Sequence, residues 1–81
     1  MIRTEVYRAI DRERDYQDKH WPGQSKEVGE YLTMLRSYLR IAESDWTFNK
    51  GDRLALDGIR KIAGIAVRCM EDHGVQERVE I

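Results

Sequence analysis

Apolar side chains recur along this chain at intervals of three and four residues, in three separate runs. The first run sets Ile2, Val6, Ile10 and then Tyr16 or Gln17 on one narrow stripe, and the remainder is heavily charged, as in DRERDYQDK. The spacing predicts a helix from Ile2 to about Lys19 that covers a core on one side and meets water on the other. The second run carries Val28, Leu32, Leu35, Leu39, Ala42 and Trp46, with a parallel stripe of Tyr31, Met34, Tyr38 and Ile41 beside it. Such a sector is too wide for a single neighbouring helix. The third run carries Leu56, Ile59, Ala63, Ala66 and Met70, with a further face of Ile62, Ile65 and Cys69.

Breaks between the runs are equally legible. Pro22 and Gly23 fall together in HWPGQS, where proline forbids helix continuation and biases Trp21 toward extended backbone. Asn49 and Gly51 in TFNKGD suit a tight turn between helices. Ser25 and Asp52 stand as expected N-caps of the second and third helices, and Gly74 ends the third, with a fraying charged tail QERVEI after it. Small residues on the third helix (Ala55, Gly58, Ala63, Gly64, Ala66) invite a close helix approach.

The expected fold is therefore all-α. Helices two and three form an antiparallel hairpin of about 30 Å at about 1.5 Å per residue, with helix one laid across it, in a single domain spanning residues 1–81. Two wide apolar faces and one narrow covering helix do not balance. Hairpins of several copies are accordingly expected to pack into a four-helix-like core, so that the protein's first partner is itself.

Composition narrows the function. At 81 residues the core is small, and domains of this size commonly need a disulfide, a metal or oligomerisation. The lone Cys69 excludes an internal disulfide, and His20 and His73 lack zinc-ligand spacing. Fourteen basic against fifteen acidic residues give a net charge of −1, which argues against a binder of long nucleic acid. The opening MIRTEVYRAI has no apolar signal core, and the run IAGIAV is too short to cross a bilayer. The expected setting is cytoplasmic, away from membranes. Neither a Ser-His-Asp or Cys-His constellation nor a glycine-rich phosphate loop is visible.

The stretch KEVGEYL carries the candidate chemistry. Glu27 and Glu30 open the second helix, where the helix dipole favours acids. EVGE at the head of a long helix, followed by a helix with an acid in an apolar context, resembles the MazG-like all-α nucleotide pyrophosphohydrolases. That resemblance implies a Glu-Glu-x-x-Glu motif and a later Glu-x-x-Asp holding Mg²⁺ against a nucleoside triphosphate. Glu27 and Glu30 match the second and third glutamates, and Lys26 replaces the first. Asp57 matches one acid of the later pair, which leaves Arg60 or Leu54 at the other, according to register. Mg²⁺ at Glu27, Glu30 and Asp57 is thus the hydrolase alternative.

RERDYQDKHW, VGEYL and IRKIAGIAVRCMEDHG also resemble small phage proteins, which would place the chain in a host cytoplasm. By analogy with small helical oligomers that phages encode, the favoured expectation is a non-catalytic sponge. It would sequester a nucleotide-like ligand, such as a cyclic nucleotide immune signal, without a catalytic residue or cofactor. Arg36, Arg60 and Lys61 would clamp phosphate oxygens, and Trp21, Tyr31 and Tyr38 would offer rings for stacking. A plain protein-interaction module, its exposed stripe docking a partner helix, is the third expectation.

Overall fold

The computed structural model describes residues 1–49 and 51–80. It is all-helical: α1 spans Arg3–His20, α2 Val28–Asn49 and α3 Arg53–His73. Each helix lies within a few residues of its expected place. Of the turn between α2 and α3, Lys50 lies outside the described residues, as does Ile81 of the tail.

Helix ends follow local chemistry, with two corrections to the expected caps. At the head of α2 the capping position belongs to Glu27, not Ser25. The Glu30 carboxylate accepts the Glu27 backbone N–H at 3.0 Å, and Tyr31 N–H donates to the Glu27 carbonyl at 3.1 Å. This is the reach-back half of a capping box. Ser25 instead donates to the Lys26 carbonyl at 3.4 Å. Asp52 does occupy the N-cap of α3, but its side chain makes no cap bond; it accepts Trp46 Nε1–H at 3.1 Å. Gly74 closes α3 with φ of 91°, a left-handed conformation that suits glycine, and donates to the Met70 carbonyl at 2.7 Å.

α3 is the central element. α2 and α1 both pack against it, and among the described residues α1 and α2 do not pack against each other. Helix one therefore lies on α3 alone, rather than across the hairpin. The α2–α3 seam draws one residue set from both stripes of α2: Tyr31 and Ala42 are buried, with Met34, Leu35 and Tyr38 half-buried, facing Ile65. Gly58 brings the backbones together, since a Cβ there would lie 2.9 Å from Cβ of Ala42. The hairpin is antiparallel, because Tyr31 at the start of α2 donates to Asp72 at the end of α3.

The α1–α3 seam is polar, which corrects the expected apolar stripe of helix one. Ile2 and Val6 are exposed, whereas Glu13, Arg14 and Gln17 are buried. Gly64 explains the crossing: a Cβ on it would meet Gln17 Nε2 at 2.6 Å and Glu13 Cγ at 2.9 Å. Only glycine lets those two side chains lie against the α3 backbone. Buried polar groups need partners, and these have them. Gln17, fully buried, donates to Glu13 at 3.1 Å and to the Lys61 carbonyl at 3.2 Å. Arg14 donates to Glu71 at 2.8 Å, Asp18 at 2.9 Å and Gln17 at 3.2 Å. The Glu71 hydrogen bond is the main reason that its guanidinium pKa is raised. No buried side-chain nitrogen or oxygen among the described residues lacks a partner.

Candidate ligand groove between α1 and α3

The same seam orients Arg60. Its Nε donates to the buried Glu13 carboxylate at 3.0 Å, and its outer nitrogen donates to Asp57 at 2.5 Å. Lys61 lies 3.2 Å from the other Asp57 oxygen. These cations, Lys61 first and then Arg60, hold the Asp57 carboxyl below the usual carboxylate range. Glu13 does the converse for Arg60, keeping its proton on more firmly than usual.

Two surface hollows meet at Arg60. One, of about 550 Å³, is lined by Arg53, Leu54, Leu56, Asp57 and Arg60. The other, of about 340 Å³, is lined by Ala9, Arg12, Glu13, Tyr16 and Arg60. The larger lies on the N-terminal half of α3, and the smaller lies between α1 and α3, so the two form a groove that runs from the α3 surface past Arg60 to α1. Among the described residues, Arg12 and Arg53 make no ion pair, while both groove carboxylates are engaged by Arg60 and Lys61. The groove thus holds two uncommitted guanidinium groups and a third fixed in orientation. Guanidinium forks of this kind match phosphate or carboxylate oxygens. Tyr16 adds a ring at the rim, stacked on His20 at 3.9 Å between centroids.

The residues expected to bind ligand are only partly gathered. Arg60 is in the groove, and Lys61 sits beside it through Asp57. Trp21 and Tyr38 form a separate tilted pair, 6.2 Å between centroids, where Arg68 donates to the Trp21 carbonyl at 3.2 Å. Tyr31 is 1% exposed, its hydroxyl committed to Asp72 and its ring edge-on to His73. A ligand has no access to it. Arg36 is exposed on α2, about 200° around that helix from Tyr38. Among the acids, Glu30 caps its own helix at the end of the hairpin where α3 finishes. Asp57 adjoins Gly58, which packs at the level of Ala42, about three turns along α2 from Tyr31. Glu27, Glu30 and Asp57 therefore do not converge within the chain. Among the described residues no three His, Cys, Asp or Glu side chains are placed to share a metal ion.

Arg12, Arg53, Glu13 and Arg14 are not among the expected residues, and Gln17 is expected only as an alternative to Tyr16 on the α1 stripe. One available signal was Gly64, a glycine inside a long helix opposite which something bulky had to lie. No helix is long and apolar enough to cross a membrane among the described residues. Comparison with protein-family models, with curated proteins and with solved structures finds no match.

Proposed function

We propose that this chain is a non-catalytic binder of a nucleotide-like, phosphate-bearing small molecule, working as a homo-oligomer, and that its ligand lies in the α1–α3 groove. The observation that supports this is the pair of uncommitted arginines, Arg12 and Arg53, flanking an Arg60 already oriented by Glu13 and Asp57. A hollow of about 550 Å³ lies within the range of about 300–1,000 Å³ usual for small-molecule sites. A phage-encoded sponge for a cyclic nucleotide signal is the biological form of this reading. The hydrolase alternative would require Glu27, Glu30 and Asp57 to share Mg²⁺, and the hairpin holds them apart.

The test is retention of ligand by the purified chain. Protein is incubated with Mg²⁺ and linear nucleotides, cyclic nucleotides or pyrophosphate, then filtered; the filtrate and the heat-released fraction are chromatographed. A nucleotide missing from the filtrate and returned intact on heating is expected. Arg12→Ala and Arg53→Ala should each weaken retention about tenfold or more, as losing a charged hydrogen bond of about 1.5–3 kcal/mol implies. These are better probes than Arg60→Ala, which would also strand the buried Glu13. Retention unchanged in the Arg12→Ala/Arg53→Ala double variant would remove the groove from consideration. Conversion to monophosphate and pyrophosphate would replace binding by hydrolysis.

A further inference from the structure

α3 has three faces, and only two are covered within the chain. One meets α2 through Gly58, Ile65 and their neighbours, and one meets α1 through Arg60, Gly64 and Glu71. At 100° per residue the third face carries Leu56, Ile59, Ala63, Ala66 and Met70. It is apolar throughout and largely open: Leu56 is 61% and Ile59 54% exposed. α2 extends it, because Leu39 and Trp46 border the same apolar cleft as Ile59.

We infer that this third face of α3, with the Leu39–Trp46 flank of α2, is where a second copy of the chain docks, about a two-fold axis. The inference rests on the homo-oligomeric part of the reading above and is independent of its ligand. Area is the first argument. The chain exposes 6840 Å², where a compact monomer of 9.6 kDa exposes about 5,100 Å². The excess is about 1,700 Å². The extended segment after Gly74 supplies part of it, and a standard interface needs only about 800 Å² from each partner.

The order of side-chain sizes along the face is the second argument, and it favours a second copy over an unrelated helix. Two-fold contacts are self-complementary. An antiparallel α3–α3 pairing centred between Gly64 and Ile65 sets Ala63 opposite Ala66 of the second copy and Ile59 opposite its Met70. Small residues meet at the centre, where the backbones approach closest, and large ones meet at both ends. The arginine groove opens on the α1 side of α3 and borders the contact at Leu56, which lines both.

Light scattering on size-exclusion fractions across a concentration series tests this. The unaltered chain should run as a dimer or a multiple of it. Ile59→Glu should run as a monomer with unchanged helical circular dichroism, and Val6→Glu, on the exposed part of α1, should keep the parent mass. Leu39→Lys, on the α2 flank of the same face, serves as the second face variant should Ile59→Glu fail to fold, with the same monomer expected. A parent chain that is monomeric throughout overturns the homo-oligomer and this interface together. An oligomer that survives both face variants overturns this interface alone and leaves the homo-oligomer standing.

Discussion

Replacing Gly64 by alanine sets two opposing effects against each other. In an exposed helix interior, glycine to alanine favours the helix by about 1 kcal/mol. At Gly64 the new methyl would stand 2.6 Å from Gln17 Nε2, 2.9 Å from Glu13 Cγ and 3.1 Å from Gln17 Cδ. Flexible surface side chains would swing aside. Here Gln17 is fully buried and tied to Glu13 and to the Lys61 carbonyl, and Glu13 is itself tied to Arg60. Overpacking of this kind costs about 1–3 kcal/mol, and each displaced hydrogen bond adds about 0.5–1.5 kcal/mol. Gly64→Ala should therefore be less stable than the parent by about 1–2 kcal/mol, despite its better helix propensity. For a domain this small, that lowers the melting temperature by about 4–8 °C per kcal/mol. The matched control is Gly29→Ala in α2, where an added Cβ meets nothing within 4 Å; its stability should equal or slightly exceed the parent's. Urea and thermal unfolding followed by circular dichroism, at one protein concentration because assembly shifts the midpoint, give the comparison. A Gly64→Ala variant as stable as Gly29→Ala would mean that α1 is not seated on Gly64.

Two further outcomes follow from the hydrogen bonds. Tyr31→Phe removes only the hydroxyl that donates to Asp72; the unfolding midpoint should fall while helix content is kept, and an unchanged midpoint would show that this bond contributes nothing. Asp57 is held below its ordinary pKa by Lys61 and Arg60, so the folded state binds fewer protons there than the unfolded state. Its contribution is complete above the ordinary carboxylate pKa of about 4 and is lost as pH falls below that through the folded value. Urea midpoints at neutral and acid pH should accordingly converge more in Asp57→Asn than in the parent; equal acid sensitivity would deny the pairing.

How much of this was legible in the sequence depends on what kind of signal each feature leaves. Three helices were legible because Pro22, Gly23 and Gly74 interrupt apolar runs that otherwise keep a helical period. The close approaches were half legible, since small residues at Gly58 and Gly64 announce that something packs there without saying what. The stripes misled on orientation. α2 buries Tyr31 and Ala42 along a line between the two predicted stripes, and α3 turns the Leu56–Ile59–Met70 stripe outward. The α1 seam was largely hidden from hydrophobic periodicity, because Glu13, Arg14 and Gln17 hold it by hydrogen bonds and only Gln17 fell on the expected stripe. The groove was hidden for another reason. Arg12 and Arg53 belong to different helices, and only the crossing at Gly64 brings the hollows they line together at Arg60.

On the binding reading proposed above, that crossing also ties ligand occupancy to the docking of α1. The hairpin is held by an apolar seam, whereas α1 is attached by hydrogen bonds and ion pairs that water competes for, so α1 is the segment whose detachment costs least. The part of the groove that contains Arg12 exists only while α1 is in place. On that reading, a molecule gripped by Arg12 as well as Arg53 binds the docked form more tightly and shifts the population toward it. By the same linkage, whatever loosens α1, such as a methyl on Gly64, would act as a brake on affinity without touching the ligand.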